Sequence, residues 1–326
     1  MQRRLIDAYD QDAVSAREIG DVLRRYDRLD AADRRAFDDV LDATGDDAAE
    51  VMAKSDGPAR KAMTDGGVDK GFRESVARAA DSDAIDSFDQ LDDAVQKIDD
   101  LDVAAKRQAK DLVDETGGKG FKFVGDLDDS SLQKVMDLDI DRADELRTAF
   151  AQYYDQGYAD LDEIESFAKH TDSLKGVDGL NSGPVDDFIA DADQVPGALH
   201  EVDVADDIGT DNIGRMNIEV GPVGKHGEID IKLESGEVVE AKSSFGTSDM
   251  STYNEFEKKL TAMREHPDTD IDGNTLTIRA SEVNNPDRVR DIATDWEDTV
   301  SSSNEWGNAD VNIRVIDDSD GTVVLE

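Results

Sequence analysis

Over roughly the first 190 residues, hydrophobic positions recur every three or four places, the spacing that lays an apolar stripe along one face of a helix. Ile19, Val22, Leu23 and Tyr26 form one stripe and Phe37, Val40 and Leu41 another, with Asp30 and Asp46 placed as N-caps. Ile85, Phe88, Leu91, Val95, Ile98 and Leu101 alternate at three- and four-residue steps, a narrow seam of coiled-coil or helical-hairpin type. Thr116-Gly117-Gly118-Lys119-Gly120 then breaks the pattern. It lacks the G-x-x-x-x-G-K-[ST] spacing and follows a helix, so it reads as a helix end and loop, not a phosphate loop. Ser130 and Gln133 suggest a capping box opening the next helix, and more helices are expected near 140–155 and 158–170.

The pattern changes at Leu180-Asn181-Ser182-Gly183-Pro184 and again at Val195-Pro196-Gly197. A domain boundary placed there separates a helical region, 1–192, from a second domain, 195–326. Beyond it the sequence predicts helix 197–208, a strand near 215–221, a hairpin over 228–244, helix 249–265, strand 274–281, helix 286–301, strand 310–317 and a last strand at 322–326. The expected class is α+β overall: an all-α N-terminal region, then an α/β core with a mixed central sheet flanked by helices.

The hairpin carries the candidate chemistry. Ile229, Ile231 and Leu233 alternate with Asp230, Lys232 and Glu234, a Ser235-Gly236 turn follows, and Val239 and Ala241 alternate with Val238, Glu240 and Lys242. Period two puts Glu240 and Lys242 on one face, and an antiparallel hairpin sets Asp230 opposite Glu240 or Ala241. Two carboxylates and an ammonium so placed form a candidate site for a hard divalent cation and a phosphate.

Asp230 followed by Glu240-Ala241-Lys242 resembles the PD-(D/E)xK nuclease signature, with Ile229 where that signature often has Pro. With Gly197-Ala198-Leu199-His200-Glu201-Val202-Asp203-Val204-Ala205 as a first core helix and Gly227-Glu228 leading into the strand, about the last 130 residues are similar to restriction-endonuclease-fold toxin domains of polymorphic toxins, and more distantly to archaeal Holliday-junction resolvases. The resemblance implies a restriction-endonuclease-like core and a nuclease dependent on Mg²⁺ or Mn²⁺. Asp230, Glu240 and the backbone carbonyl of Ala241 are then metal ligands, Lys242 acts beside the attacking water and the phosphate, and Glu201 orients a metal-bound water or a second ion. Glu228 and Glu219 compete for the role of Glu201. Expected partners are nucleic acid, DNA before RNA, and a cognate immunity protein. Three bland alternatives stand beside these. Lys242 is otherwise an exposed strand lysine paired with Glu228 or Glu240, Glu201 a solvated helix residue, and Ser243 a strand-end serine rather than a phosphate donor. His200 and His226 have no histidine partner at ligand spacing and read as structural or exposed.

Composition changes this picture in two ways. The 326-residue chain carries 79 acidic against 36 basic residues, a formal charge of −43, which reads first as adaptation to concentrated salt and second as an acidic, cation-binding or DNA-mimicking surface. A nuclease normally draws phosphate with basic surface, an attraction that molar salt largely removes. Lys258, Lys259 and Arg264 are a small basic exception, read as a solvated face or a contact to DNA backbone. With no cysteine, thiolate chemistry and disulfides are excluded. No signal peptide or membrane span is legible, so a cytoplasmic location is expected, with export as part of a toxin system left open. Other readings of the same residues are a repair, restriction or junction-resolving nuclease, and a helical adaptor carrying an inactive nuclease fold.

Overall fold

The computed structural model describes residues 2–10, 13–220, 228–266, 269 and 271–325. The chain forms two compact units, Met1–Leu138 with Ala143–Glu165, and Asp139–Arg142 with Ser166–Glu326.

In the first unit, helix α1 (Gln2–Asp10) precedes two sets of five helices that repeat one another 72 positions apart. The first set is α2 (Ala16–Tyr26), α3 (Ala31–Thr44), α4 (Asp46–Lys54), α5 (Pro58–Thr64) and α6 (Lys70–Arg78). The second is α7 (Phe88–Asp100), α8 (Val103–Thr116), α9 (Gly118–Asp126), α10 (Asp129–Met136) and α11 (Ala143–Gln156). The repeat extends to individual bonds. Ser15 and Ser87 cap their helices by accepting from Glu18 and Gln90 N–H, and Asp30 and Asp102 accept from the pairs Ala32/Asp33 and Ala104/Ala105. Gly45 and Gly117, at φ 66° and 63°, turn the second helix of each set into the third. Arg25 donates to the carbonyls of Met52, Ala53 and Ser55 at the end of α4, and Lys97 donates to those of Gly125 and Leu127 at the end of α9. In each set the second helix packs on the three that follow it.

Several local expectations shift. The cap of α4 is Gly45, with Asp46 already in the helix. The seam from Ile85 to Leu101 is helical only over α7, because Ser87 caps that helix and Leu101 is extended; Leu91, Val95 and Ile98 are its buried part. The Gly117–Gly120 break is a single turn residue, since α9 begins at Gly118, where a Cβ would lie 2.0 Å from Ser82 Oγ. Asp128, not Ser130, caps α10, because its carboxylate reaches the N–H groups of Ser130 and Ser131.

In the second unit α12 (Leu161–Ser173) enters from the first, followed by α13 (Pro184–Ala190) and α14 (Val195–Ile208). The sheet has β1 (Ile213–Glu219), β2 (Glu228–Leu233), β3 (Val238–Lys242), β4 (Asn274–Ala280), β5 (Val311–Asp317) and β6 (Thr322–Leu325), ordered as they occur in the chain. β3, β4 and β5 are parallel; the other pairings are antiparallel. Helices α15 (Asp249–Glu265) and α16 (Pro286–Ser302) make the crossovers between the parallel strands and pack on each other, with Phe256, Leu260, Met263, Val289, Ile292 and Trp296 buried against Leu276, Ile278, Ile313 and Val315. The protein is thus α+β with a mixed six-stranded sheet flanked by helices, and helix, three strands, helix, strand follow in the predicted order.

This unit takes in residues 166–192, which the composition change had left with the helical region. Phe167 and Phe188 are fully buried with ring centroids 4.6 Å apart, and α13 packs on α14. The loop before α13 lies along β1: Met216 N–H donates to the Asp178 carbonyl at 2.8 Å, and a Cβ on Gly179 would lie 1.8 Å from the Met216 carbonyl oxygen. Burial and edge protection, invisible to composition, attach this segment to the sheet.

Candidate active site

The hairpin of β2 and β3 sets Ile231 against Val239 and Lys232 against Val238; the same register, one step on, faces Asp230 with Glu240. β3 lies between β2 and β4 and pairs on both sides, so Glu240 sits mid-sheet with no exposed surface. Asp230, 13% exposed, accepts the N–H of Ala241 on Oδ2 at 2.9 Å, which fixes its carboxylate beside Glu240. The contact made by Ala241 is therefore its N–H. Lys242, on Glu240's face, brings Nζ to 2.5 Å from Glu240 Oε1 and 3.3 Å from Glu255 Oε1. The expected Lys242–Glu240 partnership is present, but Lys242 is less than one-third exposed, not an ordinary surface lysine.

Lys259 joins this group from α15. It is 2% exposed, ion-pairs with Glu240 Oε1, lies 3.7 Å from Asp230 Oδ1 and donates to the Glu228 carbonyl at 2.6 Å. Its reading as part of a solvated or DNA-facing basic patch is overturned. The sequence held the signal: Thr252, Phe256, Lys259, Leu260 and Met263 form the buried stripe of α15, and Lys259 stands on it while Lys258 points to solvent. Arg264 lies over the Trp306 ring, 4.3 Å from its centroid.

Glu201 approaches from α14, which packs on β3. Its Oε1 is out of solvent without a hydrogen-bond partner, and so is Oε2 of Glu240. Burial pushes the Glu201 carboxyl well above the usual range, and the charges of Asp230, Glu228, Asp187 and Glu240 push it further. Glu240 is raised by burial and then by Asp230, with Lys259 and Lys242 pulling the other way. Burial alone would lower both lysines; Glu240 and Asp230 more than offset it and hold them above the ordinary lysine value. Glu201 is therefore no solvated helix carboxylate. Of its competitors, Glu228 weighs electrostatically on Glu201, whereas Glu219 is an exposed edge residue paired with Glu228 across the strands.

A cavity of about 230 Å³ opens beside Lys242, lined by Ser244, Phe245, Gly246, Thr247, Ser251 and Glu255 among others. Its floor is held by Phe245, whose N–H and C=O bond to Glu282 and Asn284, and by Gly246 at φ 77°, where a Cβ would meet the Asn284 carbonyl at 2.2 Å. Ser243 is exposed and does not line it. His200 is buried, with Nε2 at 3.2 Å from the Arg279 carbonyl and 3.5 Å from Asp318, in the structural role expected. His226 and Gly227 lie outside the described residues.

As the side chains stand, no three His, Cys, Asp or Glu residues among the described ones close on a single point; the two ammoniums hold Asp230 and Glu240 instead. The donor set nevertheless fits a hard divalent cation. Asp230 and Glu240 face each other across the hairpin, Asp230 is fixed by a backbone N–H, Glu240 keeps a buried oxygen without a partner, and Glu201, with another, feels both charges from α14. No protein-family model, curated protein or solved structure matches the chain.

Proposed function

We propose that the protein is a metal-dependent nuclease that hydrolyses phosphodiester bonds, DNA before RNA, at Glu201, Asp230, Glu240 and Lys242. The supporting observation is a buried Glu240 that faces Asp230 and ion-pairs with Lys242, a lysine bordering a solvent-open cavity, with a second carboxylate carrying a buried partnerless oxygen, Glu201, acting on the pair from α14. Asp230 and Glu240 would hold Mg²⁺ or Mn²⁺, with the Ala241 carbonyl as the further ligand the resemblance implies and Glu201 serving a water or a second ion. Such an ion supplies polarisation of the phosphoryl oxygens and acidifies water. Lys242, kept protonated by Glu240, Asp230 and Glu255, places a positive charge at the cavity where negative charge grows on the phosphate during attack. The Asp230 carboxylate needs no reorientation to act, because the Ala241 N–H already holds it.

The test is cleavage of single- and double-stranded DNA and RNA in concentrated KCl with Mg²⁺ or Mn²⁺, and with a chelator. Asp230→Asn and Lys242→Ala should each lower cleavage roughly 10²–10⁴-fold. Glu240→Gln is the less clean variant, since it strips Lys259 of its closest anion and should also lower stability. Undiminished cleavage in chelator, or parent-like cleavage by Asp230→Asn, would refute the mechanism. A toxin-like effector role with a cognate immunity protein is supported by the sequence resemblance; co-purification of a neighbouring gene product that blocks cleavage is its test.

A further inference from the structure

Lys259 has no counterpart in the chemistry above, although no charged side chain of the site except Glu240 is as deeply buried. Burying an ammonium on the apolar stripe of α15 is costly unless something requires the charge there. Its position supplies the requirement. Nζ pairs with Glu240, lies 3.7 Å from Asp230 and bonds the Glu228 carbonyl, so it fills the space between the two carboxylates. A divalent ion bound to both carboxylates at about 2.1 Å would meet this ammonium at a like-charge distance of only a few ångströms, in surroundings that screen poorly.

We propose that Lys259 is the built-in counter-cation of the carboxylate site. It neutralises Asp230 and Glu240 while the metal is absent and competes with the metal for them. When the metal enters, Lys259 leaves Glu240 and stays anchored on the Glu228 carbonyl, its second acceptor. The device keeps a buried carboxylate pair folded without a ligand and makes loading of the site depend on divalent-ion concentration. This rests on the reading of Asp230 and Glu240 as metal ligands. Lys259 is thus a positioning residue whose effect shows in metal affinity.

The experiment is Mn²⁺ titration of the full chain at fixed pH and salt, following free Mn²⁺ by electron paramagnetic resonance, for the parent, Lys259→Met, Lys259→Arg and Lys258→Met. Lys259→Met should bind Mn²⁺ about tenfold or more tightly. Lys259→Arg keeps the competing charge and should not tighten binding. Lys258→Met removes the same charge from an exposed neighbour and should match the parent. If the parent binds Mn²⁺ and Lys259→Met binds equally or more weakly, this proposal falls while the metal reading stands. If neither binds Mn²⁺, the metal reading falls and takes this one with it. Should Lys259→Met be unfolded without metal, thermal melts decide: recovery of a cooperative melt with Mn²⁺ supports the proposal, and unfolding that is the same with and without Mn²⁺ overturns it.

Discussion

Glu201 illustrates what single residues reveal and conceal. Asp230, Glu240 and Lys242 were legible because a two-residue period and a tight turn fix which side chains share a face. That α14 would bring Glu201 to them came only from the resemblance, since the sequence does not state how a helix packs on a strand. Lys259 was visible as a polar residue on an apolar stripe, yet its partners lie on β2 and β3, far away in sequence. The raised Glu201 carboxyl gives a signed pH prediction. Its folded pKa exceeds its unfolded one, so its contribution to stability is full below the unfolded value and is lost as pH rises through the raised value. Metal-free protein should therefore lose melting temperature from about pH 4.5 upward in part through this group. Glu201→Gln should flatten that decline and melt higher than the parent at neutral pH, as thermal scans across pH in chelator will show. Equal slopes for the two proteins would mean that Glu201 ionises freely in the fold.

At the scale of elements, periodicity located the helices and strands of the second unit closely, because α15, α16 and the strands each bury one face. At 85–101 it found the helix but not its ends, since the apolar seam runs past both ends of α7 and the Ser87 cap decides the start. The tandem repeat was also written in the sequence, in Leu29-Asp30 and Leu101-Asp102 and again in Thr44-Gly45 and Thr116-Gly117. It is hard to read there because the packing residues between them differ; Phe37 corresponds to Ala109 and Val51 to Phe123. What the two sets share is the means of ending helices. Lys97 satisfies carbonyls at the end of α9, and Lys97→Met would leave them without a partner in a part-buried setting. A loss of about 1.5–3 kcal/mol is expected, the usual worth of hydrogen bonds from a charged donor. Lys97→Arg, which copies the residue at the equivalent position 25, should recover most of it in denaturant titrations. A loss within a few tenths would mean that water serves these carbonyls equally well.

Charge and boundary together govern the whole molecule. With a formal charge of −43, self-repulsion opposes the compact state, and screening by salt should relieve it. Among the described residues no helix is long and apolar enough to cross a membrane. The boundary matters because composition alone would cut the chain near residue 195, whereas the sheet-bearing unit takes in Asp139–Arg142 and runs without a break from Ser166. Cutting at 195 removes Phe167 and Phe188, both fully buried, and the Asp178 loop that covers the β1 edge. It also exposes the face of α14 against which α13 lies. Losing two buried aromatic side chains costs several kcal/mol, commonly about 3–5 each when truncated in a core, comparable to the whole stability of a domain. In concentrated KCl, residues 166–326 should therefore give a cooperative melt, and residues 195–326 should melt far lower or aggregate. In dilute buffer both should weaken, because the repulsion is unscreened. If 195–326 melts cooperatively at the temperature of 166–326, α12 and α13 contribute nothing to this core, and the boundary belongs where the composition changes.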